Sequence, residues 1–395
     1  MSAVSGFEMA PVDCDYLVIG AGIAGASVGY WLASHGRTVV LEGAAQPGYH
    51  STGRSAAMII DSYGPSQARA LTAASRGFFE RPPARFASTS LLRPRGALVL
   101  GRHGQDEVME EHWDIVRTTS AGAKRLDPKE IAGIVPVIRP GLLIGGIFEP
   151  QAADIDVHTL HQGYLRGIRQ HGGKICCDET ATSVERVGDR WIVDTNARRY
   201  RGAILVNAAG AWCDEIGRLA GATPIGLVPK RRTAFTFAPP THVAIHEWPL
   251  CATVDWSWYM KPDAGRLLGS PANADPVAPH DVQPEEMDIA VGIDAIEGMT
   301  SLEIRRPMSA WAGLRSFVAD GDLVGGFDVD LPGFFWIAGQ GGYGVQTSAA
   351  MGEVCASLIR ARGVPSHIAS RGVTEAALGP SRLRALNRVA TQPCD

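Results

Sequence analysis

Residues 15–42 read D-Y-L-V-I-G-A-G-I-A-G-A-S-V-G-Y-W-L-A-S-H-G-R-T-V-V-L-E, which is a strand, a glycine turn, a helix and a second strand in unbroken succession. The apolar run Tyr16–Ile19 has the length and composition of a short buried strand. Gly20, Gly22 and Gly25 follow with G-x-G-x-x-G spacing. In that pattern the first glycine makes a tight turn, the second lets backbone approach a pyrophosphate, and the third packs helix against strand. Ile23 and Ala24 open the helix, Ala24, Val28 and Leu32 share one face, and Gly36 ends it. The second strand, Thr38–Leu41, delivers Glu42 twenty residues after Gly22, where a carboxylate can accept hydrogen bonds from ribose hydroxyls. An acid there favours a free ribose hydroxyl over a 2′-phosphate. The helix N-terminus offers unpaired N–H groups and a positive dipole end to phosphate. The unit specifies an adenine dinucleotide without saying which.

The remaining composition narrows the class. A chain of 395 residues suggests two domains. With 45% hydrophobic and 20% charged residues and a net charge of −4, there is no electrostatic case for nucleic acid or an anionic membrane surface. No run approaches the roughly 18 apolar residues of a membrane span. The first 14 residues carry no basic residue and do not read as a signal peptide. The seven cysteines, Cys14, Cys176, Cys177, Cys213, Cys251, Cys355 and Cys394, are odd in number and lack C-x-x-C spacing. A reduced, cytoplasmic setting is the expectation.

Periodicity predicts helices over Ser66–Phe79, Gln105–Ser120, Asp154–Gln170 and Pro284–Ile296. Strands are predicted at Leu91–Gly101, Lys174–Cys177, Ala181–Val187, Arg190–Asp194 and Ala203–Asn207. Arg232–Phe237, Ala252–Lys261 and Arg266–Gly269 alternate with Pro- and Asp-rich loops and read as an antiparallel region. A buried strand, Phe334–Ala338, then enters the glycine loop Gly339–Gly344 and a further helix. The nucleotide-binding domain is therefore expected to be discontinuous.

Four more stretches follow the fingerprint in order: H-S-T-G-R-S-A at 50–56, L-V-N-A-A-G-A-W at 205–212, W-A-G-L-R-S-F at 311–317 and A-G-Q-G-G-Y-G-V-Q-T-S at 338–348. With P-K-R-R at 229–232 and Y-M-K-P-D-A-G at 259–265, the chain resembles the FAD-dependent D-amino-acid oxidase/glycine oxidase family, and within it the D-arginine dehydrogenases. The resemblance implies an α/β Rossmann-like FAD-binding domain built from 1–90, 150–225 and 325–395. It implies an α+β substrate domain with an antiparallel sheet from 91–149 and 226–324. The cofactor would be FAD. The residues implied to hold it are Gly20, Gly22, Ile23, Ala24, Gly25 and Glu42, the loop residues Ser51, Thr52, Arg54, Ser55 and Ala56, then Ala208 and Gly210. Gly339, Gly341, Gly342, Tyr343, Gly344 and Val345 complete the set. Some relatives attach flavin through a cysteine; Ser316–Phe334 contains none, so non-covalent FAD is expected.

By the same resemblance, Arg232, Tyr259 and Arg315 would grip a substrate carboxylate. A guanidinium fork pairs both carboxylate oxygens and keeps its charge. The amine would sit near the Gly342 carbonyl and Gln346, with Tyr63 in a lid. The implied reaction is oxidation of the Cα–N bond of a D-amino acid to a 2-oxo acid, by hydride transfer to flavin N5. Where D-arginine dehydrogenases carry polar residues toward the substrate side chain, this chain has Met58, Ile60 and Ala97, so apolar or aromatic side chains are expected. Secondary-amine oxidation and a flavin-binding protein without turnover are the alternatives. The electron acceptor is left open: G-R-L-L-G at 265–269 lacks the lysine that oxygen-reactive relatives use, which leans toward a dehydrogenase. His158 and His161 stand at i, i+3 without partners spaced to complete a metal site. If Ala252–Lys261 is one strand, alternation puts Trp256 and Trp258 opposite Tyr259, as packing residues.

Overall fold

The computed structural model describes residues 10–241 and 243–384. Cys394, the first nine residues, His242 and 385–395 lie outside the described residues. Two large sheets organise the rest.

In the first, Val12–Ile19 is central, flanked in parallel by Thr38–Leu41 and Arg199–Asn207, and Lys174–Cys176 continues the parallel run beyond Thr38–Leu41. Arg199–Asn207 divides its outer edge. Its N-terminal half pairs antiparallel with Arg190–Thr195, which forms a hairpin with Ala181–Val187, and its last residues pair parallel with Phe334–Ala338. Val324–Phe327 then runs antiparallel to Phe334–Ala338. Central parallel strands are covered on both faces, which is why they read as continuous apolar runs. Val18, Val40, Val206 and Phe335 pack beneath the helices Ile23–Ala33, Ser66–Glu80, Val157–Gln170 and Ser348–Ile359. Leu17, Ile19, Leu41, Leu205 and Trp336 form a separate core on the opposite face.

The second sheet has nine strands. Ser309–Phe317 and Val228–Phe237 share a nine-pair antiparallel ladder. Arg266–Ser270, Tyr259–Asp263 and Leu250–Thr253 continue from it, and Ala97–Arg102 joins Leu250–Thr253 as the parallel pair. One face buries Leu98, Leu100, Phe235, Phe237 and Met260 against Ile131, Ile296 and Met299. The other carries Ala97, Ala234, Ala252, Tyr259 and Leu268. A small third sheet, Met58–Ile59 with Ala153–Ile155 and Leu92–Pro94, lies between stretches that join the larger ones.

The chain thus combines a Rossmann-like unit, assembled from separated stretches, with a largely antiparallel second unit, the architecture the sequence implied. Three expectations need correction. Leu91–Gly101 is two strands in different sheets, broken at Gly96, where φ is +77° and a Cβ would meet the Phe148 ring at 2.8 Å. The helix expected from Asp154 starts at Val157, because the Asp156 carboxylate accepts from the Thr159 N–H at 2.8 Å and caps it, while Ala153–Ile155 is taken into the small sheet. Ala252–Lys261 is a hairpin: Ala252 pairs with Tyr259, and Val254–Trp258 is the turn between the strands.

The fingerprint junction is packed to the backbone. A Cβ on Gly25 would stand 1.9 Å from the Gly20 carbonyl oxygen. We expect Gly25→Ala to lower the urea midpoint of unfolding, with a loss of at least about 1–3 kcal/mol from overpacking; a midpoint equal to the parent's would show that the helix can ride outward freely.

Candidate active site

A cavity of about 550 Å³ runs between the two sheets, from the glycine fingerprint to the substrate-side strands. That size is typical of small-molecule sites. At one end the helix Ile23–Ala33 begins after Gly22, and its first N–H donates to the Thr52 hydroxyl at 2.9 Å. Gly20 takes φ +100°, and a Cβ there would lie 2.4 Å from the Ala208 carbonyl oxygen, so two chain crossings touch at the cavity wall. The Glu42 carboxylate is buried in that wall, fixed by the Ala21 N–H at 2.9 Å and the Ala44 N–H at 3.0 Å.

The loop after Gly48 bridges the sheets. The Ser51 hydroxyl donates to the Leu314 carbonyl at 2.6 Å. The Arg54 guanidinium donates to the carbonyls of Val282 (2.8 Å) and Ala312 (3.1 Å) and pairs with Asp281. Trp311 returns a hydrogen bond to the Arg54 carbonyl at 3.0 Å. Three of these ties lead to Ser309–Phe317, the strand that carries Arg315.

At the far end Arg232, Tyr259 and Arg315 line the same cavity as the fingerprint. Arg232 lies opposite Gly313 in the ladder, so Arg315, two residues on, projects from the same face. Among the described residues neither arginine forms an ion pair. Arg232 Nε donates to the Asn273 carbonyl at 2.5 Å, and Arg315 Nη1 donates to the Tyr63 hydroxyl at 3.3 Å. Burial, with repulsion from Arg315 second, draws the Arg232 guanidinium down to about 10. Burial would raise the Tyr259 phenol, but Arg315 and Arg232 together outweigh it and hold the phenol below its ordinary value.

The cavity also brings together Ile23, Ala24, Ser55, Ala56, Gly210, Gly339, Gly341, Gly342, Gly344 and Val345. Other sequence-predicted residues stand elsewhere. Gly25 is inside the helix–strand contact. Tyr343 is buried and donates to the Gly321 carbonyl, so its ring packs rather than lines the cavity. Gln346 is 2% exposed, and its amide is spent on the Ile60 N–H (3.2 Å) and the Thr72 hydroxyl (2.9 Å). Met58, Ile60, Tyr63 and Ala97 form one apolar cluster around Tyr259 beside the cavity, not in its wall. His161 is a backbone brace, its Nε2 2.8 Å from the Ala21 carbonyl oxygen.

Sequence reasoning missed three residues here. Asn273 orients Arg232 through its carbonyl. Glu149, opposite Ala97 in the ladder and 1% exposed, accepts from the Ser62 hydroxyl at 2.6 Å, and burial pushes its carboxyl above the ordinary range. Trp256 belongs to the apolar cluster and lies 4.9 Å from the Tyr63 ring centre. The turn formers Asp255 and Ser257 on either side of Trp256 were the available signal for it.

Residues 15–358 match the family described as DAO: FAD dependent oxidoreductase. The chain belongs to that family. Its cofactor is FAD, and the site fits it: a glycine cradle that excludes a Cβ, a helix N-terminus and a fixed carboxylate line one continuous cavity. The rat mitochondrial dimethylglycine dehydrogenase is 24% identical over 260 residues, 65% of this chain and 30% of that protein. The chain therefore spans less than a third of that relative's length. The bovine FAD-dependent oxidoreductase domain-containing protein 1 is 22% identical over 403 residues, 89% of this chain and 82% of that one. Among solved structures, L-proline dehydrogenase from P. horikoshii superposes with a TM-score of 0.78 at 20% identity, over 95% of this chain and 99% of that one. Glycine oxidase from Geobacillus kaustophilus gives 0.78 at 18%, over 89% and 95%. At these identities the superpositions speak for the fold. Among the described residues no helix is long and apolar enough to cross a membrane, and no group of three or more His, Cys, Asp or Glu is placed to hold a metal ion.

The electrostatics set a pH dependence. With rising pH, Tyr259 changes from a neutral donor to an anion beside the arginines. That change opposes a bound carboxylate. We expect the affinity for a carboxylate ligand, followed by perturbation of the flavin spectrum, to fall as pH rises, beginning below the usual tyrosine range. Tyr259→Phe should remove that fall; a wild-type profile flat to strongly alkaline pH would count against Tyr259 in the site.

Proposed function

We propose that the chain oxidises the Cα–N bond of amino acids, with D-amino acids bearing apolar or aromatic side chains as preferred substrates. The observation that carries this reading is the pair of half-buried arginines, Arg232 and Arg315, facing the cavity without a carboxylate partner among the described residues. A buried, unpaired cation is costly, and an anionic ligand group is its natural complement. In this reading Arg315 and Arg232 hold the substrate carboxylate and the Tyr259 hydroxyl donates to it. The Gly342 carbonyl accepts from the neutral amine. Tyr63 closes over Arg315. Bound FAD supplies the two-electron acceptor for hydride from Cα, and the imino product hydrolyses to a 2-oxo acid and ammonium. No protein base is assigned, so turnover follows ionisation of the substrate amine, and orientation of Cα provides much of the rate.

The side-chain preference rests on Met58, Ile60, Ala97 and Trp256, an apolar cluster that adjoins the cavity through Tyr259. Each buried methylene of a substrate gains about 0.8 kcal/mol, whereas a guanidinium would lose hydration there. Glu149 stays engaged with Ser62 and is driven away from its charged form. A second reading, oxidation of secondary or tertiary amines, is favoured by the names of the relatives: dimethylglycine, proline and iminodiacetate are all N-substituted amino acids. All of them carry a carboxylate, so the clamp serves either reading. Lys261, buried and held by Asp154 at 2.6 Å, is not free to assist an oxygen reaction, which supports a dehydrogenase. The division into 1–90, 150–225 and 325–395 against 91–149 and 226–324, and a cytoplasmic setting, belong to the same proposal.

Acid or heat should release all the flavin as FAD, since Ser316–Phe334 offers no linking cysteine; flavin retained on the denatured chain would refute non-covalent binding. Anaerobic bleaching with D-, L- and N-methyl forms of leucine, phenylalanine and arginine tests the substrate class. D-leucine or D-phenylalanine is expected to lead, and a preference for D-arginine or for N-methyl forms would overturn the corresponding part. Arg315→Met should keep its FAD and lose roughly 3–5 kcal/mol of kcat/KM, the cost of leaving a charged partner buried and alone. A loss below about tenfold would remove Arg315 from the carboxylate site.

A further inference from the structure

We propose that Trp256 is a specificity-determining residue that acts from beside the cavity, backing Tyr63 over Arg315 and limiting how far a substrate side chain can enter the apolar cluster around Tyr259. The inference rests on the carboxylate-clamp reading above. Trp256 sits at the tip of the hairpin joining Leu250–Thr253 to Tyr259–Asp263, with φ at +52°. A bulky residue rarely adopts that conformation, and such outliers persist only where their surroundings over-determine them.

The surroundings here do so. The Trp256 N–H donates to the Thr253 carbonyl at 2.9 Å. Beside it the Asp255 carboxylate accepts from the Ser257 N–H (3.1 Å), Gln105 Nε2 (2.9 Å) and Arg102 Nη2 (2.6 Å). The Thr253 hydroxyl accepts a second hydrogen bond from the Ser257 N–H at 3.0 Å. The turn is therefore anchored to Arg102 at the end of the neighbouring strand and to the loop that follows it. The indole it presents is half-buried and tilted 53° to the Tyr63 ring at 4.9 Å. Tyr63 in turn accepts from Arg315, and its hydroxyl would lie 2.6 Å from a Cβ on Gly342. One side of the indole thus backs the residue that caps the clamp, and the rest extends the apolar cluster of Met58, Ile60 and Ala97. A ligand held by its carboxylate at Arg315, with its side chain directed toward that cluster, meets the indole as the side chain lengthens.

The test uses binding rather than turnover. The holoprotein and Trp256→Gly are titrated with acetate, 4-methylpentanoate and 3-phenylpropanoate, read by perturbation of the flavin spectrum. Glycine accepts the positive φ, so the variant removes the ring without imposing strain on the turn. The affinities for 4-methylpentanoate and 3-phenylpropanoate should each fall by about tenfold or more relative to the change for acetate, equivalent to ~1.4 kcal/mol of lost contact. Trp256→Phe should recover part of that loss. An equal fall for all three acids, or none, would overturn this role. Failure of the wild-type holoprotein to bind any of the acids would instead overturn the clamp reading, and this inference with it.

Discussion

The Gly20 carbonyl oxygen occupies the place where a Cβ on Gly25 would stand, and the Ala208 carbonyl oxygen the place where one on Gly20 would stand. These two contacts lock three chain segments together at the end of the central strand. Seven register pairs between Val12–Ile19 and Arg199–Asn207 bring Ile19 level with Asn207, so the turns at Gly20 and Ala208 emerge side by side. Helix origin, carboxylate and second turn therefore share one cavity wall. A shift of one residue in that ladder would turn Val18 and Val206 out of the helical core and separate the turns. The nucleotide end is thus an outcome of backbone packing before any side chain contributes.

The opposite end is governed by charge. Two guanidinium groups in a half-closed cavity repel each other and lose hydration. The polar contacts that compensate them are neutral: the Asn273 carbonyl and the Tyr63 hydroxyl, with the Tyr259 phenol nearby. The adjacent Arg231 shows the contrast, paired with Asp275, Glu285 and Asp288. Along one strand, acids gather round the arginine that faces away from the cavity and, among the described residues, none pairs with the one that faces it. That asymmetry leaves two guanidinium groups at this end of the cavity with the charge that a small anion would complement.

Much of this was legible in the sequence because the decisive constraints are local. Glycine spacing dictates the fingerprint turn, and continuous apolar runs dictate the central strands. What escaped the sequence was set by pairing across distance. The run Ala252–Lys261 alternates well enough to pass for one strand, yet Asp255 finds partners in Arg102 and Gln105, about 150 residues away in sequence, that convert its middle into a turn. The parity argument then assigned Trp256 to the wrong environment. Gln346 was placed beside the ligand by its motif, but Thr72 on another helix claims its amide. Asn273 carries no motif at all; its carbonyl matters only because the ladder sets Arg232 against it.

The loop from Gly48 to Ala56 joins the two ends into one device. Thr52 accepts the first helical N–H of the fingerprint helix, while Ser51 and Arg54 grip the strand that carries Arg315. Four residues, 51–54, therefore span from the glycine turn of the fingerprint to the strand that carries Arg315. Short hydrogen bonds at both ends of so short a segment leave little room for the two units to shift independently. The distance between the glycine turn and the arginine pair is then a property of the fold rather than of any ligand. For a reaction that depends on holding one carbon against a fixed acceptor, that rigidity is the contribution the protein backbone itself makes.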